Sequence, residues 1–326
     1  MNPLTLGIDT SNYKTSVAIT DASGRILYQR SEFLKVERGE RGLRQSVAFF
    51  QHCQVLPLFI EEAMAAVNPR EIAAIAASAR PRRVEGSYMP VFLSGTQTGS
   101  VLASALQVPL YTFSHQEGHI EAILSSLTDL PAPDAPSDVR ERPFLLFHLS
   151  GGTTECLLCR QQADGYEAEI VGGTKDISIG QLLDRTGVLL GYDFPAGKYL
   201  DRIAMTQPVT ELPTRVKINN GYFNLSGMET QVLRWAKEHG DGIVPGVFER
   251  IQALLHDTAV YLSRKYHVDT VIMAGGVSAS STLRKYSAGW SEKQDGCRIL
   301  FGDPVLSGDN AVGISLLGGR KLHETG

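Results

Sequence analysis

The feature that most constrains the fold is a strand, a turn rich in glycine, serine and threonine, and a returning strand, which occurs in two copies. In each copy an apolar strand precedes the turn and a second strand follows it. Taken alone, either turn has the sequence of an ordinary Asx turn between two strands. The first copy spans Leu4–Thr20, with Asp9, Thr10 and Ser11 at its turn, and the second spans Phe144–Cys159, with Ser150, Gly151, Gly152 and Thr153 at its turn.

Two copies of this unit indicate a duplicated core, and together they make both turns candidate phosphate-binding loops. In such a fold the two lobes would hold the phosphates of one nucleotide from opposite sides. Further buried strands at 72–78, 108–113 and 268–274 alternate with helical segments such as 247–266. Strands that alternate with helices are typical of parallel connections. The sequence therefore predicts an α/β protein of two lobes with duplicated mixed sheets.

A pair of histidines, His115 and His119, is the main candidate for metal chemistry. Residues four apart lie on one face of a helix, so both imidazoles can reach one metal ion. A helix is favoured here because Ser114 can cap it and Glu117 stands at the capping-box position. The spacing is that of a zinc protease, but Gln116 occupies the position where that mechanism requires a glutamate. Two helix histidines without a metal are the alternative.

A second candidate site is the turn at Gly275 and Gly276, which follows the strand at 268–274. Two glycines between a strand and a helix let a flat base or a ribose approach the backbone closely. The chain also has an uncommon basic run, Arg80-Pro81-Arg82-Arg83. This run is either a solvated loop or a contact for anions or RNA phosphates.

The composition restricts the class of protein further. A net charge of −4 and a pI near 6.1 argue against a broadly basic nucleic-acid binder, although a local basic patch needs only a few residues. Four cysteines in 326 residues do not make a disulfide framework, and Cys156 and Cys159 fit a buried strand with reduced thiols. The sequence has no signal-peptide pattern and no apolar run of membrane-spanning length, so we expect a cytoplasmic protein with no membrane partner.

The motifs, in their order along the chain, resemble the TsaD family, which makes the threonylcarbamoyl-adenosine of tRNA and does not act as a protease. The resemblance implies the fold of actin, the heat-shock ATPases and the sugar kinases, with a nucleotide and a metal in the cleft of two duplicated lobes. The lobes would comprise residues 1–113 with 307–326, and residues 114–306. The resemblance covers nearly the whole chain and rests on Gly7–Ser11, His115–His119, Ser150–Thr153, Gly275–Ala279 and Asp309–Ala311.

The same resemblance implies roles for individual residues. His115, His119 and Asp309 would hold one divalent metal, iron or zinc, and this set leaves coordination positions open. The turn from Leu149 to Thr153 would contact substrate phosphate. The nucleoside part of an adenine nucleotide or a carbamoyl-adenylate would be bound by Asp184, Gly197, Gly275, Gly276 and Ser280.

Several positions depart from the family pattern. The first turn usually carries two acids where this chain has Tyr13 and Lys14, and Arg80-Pro81-Arg82 stands in place of Gly-Pro-Gly. These changes predict a divergent paralogue, which keeps the metal and nucleotide framework but does not simply replace a standard family member. Three further replacements, of a histidine, an acid and an asparagine, are Thr153, Gln181 and Ser280.

The resemblance implies a metal-dependent transferase that moves a threonylcarbamoyl group from a carbamoyl-adenylate to adenosine of tRNA. Its implied partners are tRNA and either a TsaB-like protein or a second copy bound through the N-terminal lobe. Two alternatives stay open, namely carbamoyl or acyl transfer to another acceptor, and a non-catalytic partner subunit of the same fold. Metal content separates an enzyme from a scaffold, and salt-dependent tRNA binding separates the acceptors.

Overall fold

The computed structural model describes residues 3–11, 14–36, 43–127, 139–288 and 297–325. The chain divides into two compact units. Unit 1 comprises Met1–Ala135, Gln162–Glu167 and Gly308–Gly326, and unit 2 comprises Pro136–Gln161 and Ala168–Ser307. Within the described ranges, no helix combines the length and the apolar character that crossing a membrane requires.

The strands and helices alternate along much of the chain. The strands are β1 Leu4–Asp9, β2 Lys14–Asp21, β3 Ile26–Phe33, β4 Ile72–Arg80, β5 Leu110–Ser114, β6 Phe144–Leu149, β7 Thr154–Gln162, β8 Gly165–Thr174, β9 Tyr222–Phe223, β10 Thr270–Ala274 and β11 Arg298–Phe301. The α-helices are α1 Gln45–Ala66, α2 Phe92–Leu106, α3 His115–Leu127, α4 Ile179–Leu189, α5 Gly197–Thr206, α6 Ser226–His239, α7 Val244–Tyr266, α8 Ser281–Ser287 and α9 Val312–Thr325.

The sheet of unit 1 has the strand order β3-β2-β1-β4-β5. Strand β1 pairs antiparallel with β2 and parallel with β4, and β4 pairs parallel with β5. Because β1, β4 and β5 run in one direction, their carboxyl ends lie along one edge of the sheet. That edge carries Asp9, Arg80 and Ser114.

The sheet of unit 2 has the strand order β11-β10-β6-β7-β8-β9. Strand β6 pairs antiparallel with β7 and parallel with β10, and β10 pairs parallel with β11. The pairing around β6 therefore repeats the pairing around β1, which confirms the predicted duplication. The carboxyl ends of β6 and β10, at Leu149 and Ala274, share one edge and lead into the two turns predicted to bind a nucleotide.

Helices supply much of the core. In unit 1, α1 buries Leu56, Phe59 and Ala63 with side chains of the sheet. Pro57 is expected to kink or divide α1, but the helix is a single element because its buried face continues on both sides of the proline. In unit 2, α7 contributes buried side chains such as Phe248 to a core shared with the sheet.

Helix α3 groups with unit 1, whereas the division implied by the family resemblance places residues from 114 onward in the other lobe. The grouping follows from packing, since α3 lies against α9 within unit 1. The two cysteines predicted to be buried and reduced, Cys156 and Cys159, are both buried on β7 and carry free thiols.

Candidate metal centre and nucleotide pocket

Helix α3 begins with the capping box that the sequence predicts. The Glu117 amide donates to Ser114 Oγ at 3.2 Å, and the Ser114 amide donates to Glu117 Oε2 at 2.8 Å. Both side chains are buried, so the cap fixes the first turn of the helix. One turn apart on that helix, the rings of His115 and His119 lie with their centroids 4.4 Å apart.

Asp309 completes a compact group of ligating atoms. His119 Nε2 lies 2.9 Å from His115 Nε2 and 3.1 Å from Asp309 Oδ1, and His115 Nε2 lies 3.6 Å from the same oxygen. A tetrahedral metal with bonds of about 2.0–2.1 Å places its ligand atoms about 3.3 Å apart. The observed separations therefore fit one ion, and the structure brings together the three residues expected as ligands.

A fourth residue, Asp9, orients the first histidine. Its Oδ1 lies 3.0 Å from His115 Nδ1, and its side chain is fully buried. An ionised carboxylate only accepts hydrogen bonds, so Nδ1 of the ring carries a proton toward Asp9, and Nε2 faces His119 and Asp309. Metal ligation through Nε2 would require loss of the proton on Nε2 and would keep the proton on Nδ1. The sequence predicts Asp9 as a substrate contact, whereas here its carboxylate contacts a metal-ligand candidate.

The charges in this group are mutually dependent. Burial disfavours the imidazolium of His115, but the carboxylates of Asp9 and Asp309 outweigh burial and raise the pKa of His115 to about 10. Burial also opposes ionisation of Asp309, yet its bonds to the two histidines hold the pKa of that carboxyl well below its usual range. A divalent ion at this position would offset the same negative charge that a proton on His115 offsets.

The remaining residues of the first turn have different surroundings. Ser11 is buried, and its Oγ donates to Asp309 Oδ2 at 3.5 Å, which places it at the metal centre. Thr10 is also buried, and its hydroxyl donates to the carbonyl oxygen of Val91 at 3.1 Å. Thr10 thus holds β1 to the start of α2. Tyr13, one of the positions that depart from the family pattern, lies outside the described residues.

The basic run after β4 is held against the metal-bearing helix. The Gln116 amide donates to the carbonyl oxygen of Pro81 at 3.1 Å, and Arg83 forms an ion pair of 3.4 Å with the buried carboxylate of Glu117. Arg80 is exposed and lies opposite Ser114 in the register of β4 and β5. The run is therefore an ordered part of the sheet edge that carries His115.

The start of α9 positions Asp309. Asn310 Oδ1 accepts from the Val312 amide at 2.9 Å and caps the helix. Farther along, Gly313 meets Gly118 of α3 so closely that a Cβ on Gly313 would lie 1.8 Å from the carbonyl oxygen of Gly118. Only glycine permits this approach, and it brings the start of α9 beside the two histidines.

A pocket of about 280 Å³ lies in unit 2 beside the turns predicted to bind a nucleotide. A Cβ on Gly276 would meet no atom within 4 Å, so this glycine leaves the pocket wall open. Its neighbour Gly275 has a φ of +93°, and a Cβ there would lie 2.3 Å from the carbonyl oxygen of Leu149, so Gly275 shapes the turn. The predicted residues that line the pocket are Gly151, Asp184, Gly197, Gly276 and Ser280.

Within the described part of the chain, the other predicted residues of unit 2 do not line this pocket. Ser150 Oγ accepts from the Thr153 amide at 3.0 Å, so this hydroxyl closes its own turn. Asp184, which does line the pocket, also has a structural role. Its Oδ1 accepts from the Ala196 amide at 2.8 Å and so holds the start of α5. The predicted residues away from the pocket lining are Leu149, Ser150, Gly152, Thr153 and Gly275.

Several residues that line the pocket were not predicted from the sequence, among them Gly180, Lys198, Asp201 and Phe248. A signal existed for Lys198 and Asp201, which follow Gly197 at a spacing that places both on one face of a helix. Asp201 also fixes Ser280, whose Oγ donates to Asp201 Oδ1 at 2.5 Å. Phe248 has no local signal, because its place depends on how α7 packs.

Solved structures resemble the chain along nearly its full length. HypF of T. kodakarensis covers 99% of the chain with a TM-score of 0.61 and 15% identity, and the chain spans only 48% of that protein. The (R)-2-hydroxyglutaryl-CoA dehydratase component A of Acidaminococcus fermentans covers 98% of the chain with a TM-score of 0.55 and 13% identity, over 99% of its own length. A ROK family glucokinase from Streptomyces griseus covers 99%, at a TM-score of 0.50 and 12% identity, over 100% of its length. These likenesses confirm the predicted fold class and show the fold alone.

Sequence comparison reaches further than the fold. The family model described as TsaD, tRNA N6-adenosine threonylcarbamoyltransferase, matches residues 34–316. The protein of that name from Prosthecochloris aestuarii is 30% identical over 340 residues, which cover 98% of this chain and 94% of the relative. The one from Granulibacter bethesdensis is 30% identical over 97% of this chain and 88% of its own length. The chain therefore belongs to the TsaD family.

Proposed function

We propose that this chain is a metal-dependent transferase that moves a threonylcarbamoyl group from a carbamoyl-adenylate to adenosine of tRNA. The observation that carries the proposal is the group of His115, His119 and Asp309, whose ligand atoms lie within 4.8 Å of one another. A scaffold subunit needs neither three converging ligands nor a buried carboxylate behind one of them. Membership of the TsaD family supports tRNA as the acceptor.

In the proposed reaction the N6 amine of an adenosine attacks the carbamoyl carbonyl carbon of the adenylate. A C–N bond forms, the bond from that carbon to the phosphate oxygen breaks, AMP leaves, and the amine loses a proton to solvent. His115, His119 and Asp309 would hold iron or zinc, which when bound acts as a Lewis acid toward a carbonyl or phosphoryl oxygen.

The residues of the unit 2 pocket would bind the adenylate and so reduce the entropy cost of the transfer. Gly276 leaves room for a base or a ribose against the backbone, and Lys198 supplies a positive charge to the lining. Asp184 holds the start of α5, the helix to which Lys198 belongs. The expected ligand is therefore an adenine nucleotide or its carbamoyl ester.

Elemental analysis tests the metal site. Protein purified without chelator should carry about one iron or zinc per chain, because the group offers three ligands with open positions. His115→Ala should lose the metal, since two ligands remain. His239→Ala is the matched control, because His239 is exposed on α6 and lies outside the group. Equal metal content in His115→Ala and the wild type would refute the site.

Nucleoside analysis of cellular tRNA tests the acceptor. Deletion of the gene in its host should lower the threonylcarbamoyl-adenosine content of digested tRNA. Wild-type protein and His239→Ala should restore it, and His115→Ala should not. If the deletion leaves every tRNA nucleoside unchanged while the purified protein carries metal, tRNA adenosine is refuted as the acceptor of this chain in its host.

A further inference from the structure

Unit 2 has a second pocket, of about 450 Å³, that plays no part in the chemistry described above. It lies where the end of β8, the segment at 214–219, β9 and the start of α6 come together. It shares no lining residue with the pocket proposed for the adenylate. We call it the basic pocket, because three of its lining residues are the cations Lys175, Arg215 and Lys217.

The charge of the basic pocket is of one sign. Among the described residues, no acidic residue lines it, and all three cations are exposed and form no ion pair. The carboxylate next along the chain, Asp176, accepts from the amides of Leu225 and Ser226 and so is occupied in holding the start of α6. In a chain of net charge −4, three unpaired cations around one pocket are a local concentration of positive charge.

The other groups in the lining suit a nucleotide chain better than a lone anion. Tyr222 lines the pocket and supplies an aromatic ring. Lys175 Nζ lies 5.0 Å from the centroid of that ring. Amide side chains, such as those of Asn224 and Gln231, offer both donors and acceptors to sugars and base edges. Arginine binds phosphate through a planar fork, and lysine binds it as a point charge. Stacking on an aromatic ring beside a basic surface is how single-stranded RNA is commonly bound.

We propose that the basic pocket binds the phosphodiester backbone of the tRNA acceptor. This inference rests on the proposed function in one respect, since that function makes RNA the anionic partner. The pocket would position the tRNA, as phosphate contacts do, and would carry no chemistry of its own.

Salt dependence of tRNA binding tests the proposal. The triple variant Lys175→Gln, Arg215→Gln and Lys217→Gln removes the three charges from exposed positions, and Lys237→Gln on α6 is a control that removes one exposed charge outside the pocket. Binding of unmodified tRNA is measured by fluorescence anisotropy over a salt series. The slope of log affinity against log salt should become shallower by about 0.7–0.9 for each phosphate that the protein no longer neutralises, so by about 2.1–2.7 for the triple variant. The control should keep nearly the wild-type slope.

The outcomes separate this inference from the proposed function. If the wild-type protein binds tRNA and the triple variant has the same slope, the basic pocket does not bind the tRNA backbone. The proposed function would then still stand. Absence of tRNA binding by the wild-type protein would overturn both. Equal competition by inorganic phosphate and by an RNA oligonucleotide, at matched phosphate concentration, would show a site for a single anion and overturn the assignment to RNA. Circular dichroism of the triple variant confirms that any loss of binding is not a loss of folding.

Discussion

At the residue scale, the metal centre depends on a buried carboxylate that is not itself a ligand. Asp9 contacts the Nδ1 side of His115, whereas the ligand atoms converge at the Nε2 side. The second oxygen of Asp9, Oδ2, is buried and has no hydrogen-bond partner among the described residues. A buried charge with one oxygen unpaired is costly unless a positive group lies near it. His115 supplies the positive group, either as an imidazolium or as a ligand of a bound cation. Asp9 and the metal centre therefore stabilise each other.

This dependence predicts the effect of two substitutions at Asp9. Asp9→Ala should weaken metal binding by about 10–100-fold, the range seen when the partner behind a metal-bound histidine is removed. Asp9→Asn keeps an acceptor oxygen for the His115 Nδ1 proton, so it should lose less affinity than alanine. Chelator competition measures both variants, with Asp309→Ala as the reference for removal of a ligand. Wild-type affinity in Asp9→Ala would contradict the role.

A buried histidine outside the site predicts a pH dependence of stability. His52 is fully buried, with its Nδ1 2.8 Å from Thr15 Oγ1, and burial lowers its pKa to about 4 against the partial opposition of Asp9. Between that value and the ordinary pKa near 6.5, the unfolded chain binds a proton that the folded chain does not. The free energy of unfolding should therefore fall as the pH drops from 6.5 toward 4, by up to about 3 kcal/mol at about 1.4 kcal/mol per pKa unit.

Urea unfolding at pH 7.5 and at pH 5 measures this effect. His52→Asn has no group that titrates in this range, so the variant should lose less stability between the two pH values than the wild type does. The other titrating groups change the free energy of unfolding equally in both proteins, so their effect cancels when the two losses are compared. Parallel losses in the two proteins would show that His52 is not the titrating group.

The residues also show what local sequence can and cannot predict. The spacing of His115 and His119 predicts a shared face, and Ser114 with Glu117 predicts the cap, since both features depend on one helical turn. The sequence predicts Thr10 as a ligand contact, but its hydroxyl bonds to Val91 across 81 residues of chain. Which loops meet at the sheet edge depends on the order of β1, β4 and β5, and no local pattern contains that order.

At the element scale, the site is built on the close packing of α3 against α9. The two glycines at this contact are not equivalent. A Cβ on Gly118 would meet the end of the Ile314 side chain at 2.8 Å, whereas a Cβ on Gly313 would meet the backbone of α3 at 1.8 Å. A side-chain end can move, but a helix backbone cannot move without separating the two helices.

The contrast predicts unequal costs for the same substitution. Gly118→Ala should change the free energy of unfolding by less than about 1 kcal/mol, because the gain in helix propensity offsets the shift of Ile314. Gly313→Ala should cost at least about 2–3 kcal/mol through overpacking, and it should lower metal content by displacing the start of α9. Urea unfolding and elemental analysis of the two variants provide the comparison. Similar stability in both would show that the helices tolerate a wider separation.

At the scale of the whole molecule, the duplicated turns predict the topology well. The pairing around β1 in unit 1 recurs around β6 in unit 2, as two strand–turn–strand copies lead one to expect. The duplication does not extend to the chemistry. The turn after β1 contributes to the metal centre, and the turn after β6 contributes Gly151 to a pocket. The sequence predicts a phosphate loop at both turns because their residue types are alike. The elements that surround the two turns differ, and a local pattern does not contain that difference.

Because the metal centre and the adenylate pocket are built from different residues, we expect that either site can be removed without the other. All three metal ligands belong to unit 1, and all lining residues of the adenylate pocket belong to unit 2. A Cβ at position 276 would meet no protein atom within 4 Å, so the side chain added by Gly276→Val should occupy ligand space rather than displace the backbone of the turn. That variant should bind AMP at least about tenfold more weakly, the reduction expected when about 1.4 kcal/mol of binding free energy is removed, and should keep its metal.

His115→Ala should show the converse, with no metal and an AMP affinity within about twofold of the wild type, because His115 does not line the pocket. Calorimetry with AMP in the presence of chelator, and elemental analysis without it, give the two readouts for each variant. Gly275→Ala separates a loss of fold from a loss of site, since its φ of +93° and its contact with Leu149 predict that this variant loses stability as well as AMP binding. If His115→Ala lost AMP affinity under chelator as strongly as Gly276→Val does, the two sites would be one, and the assignment of the nucleotide to unit 2 alone would fail.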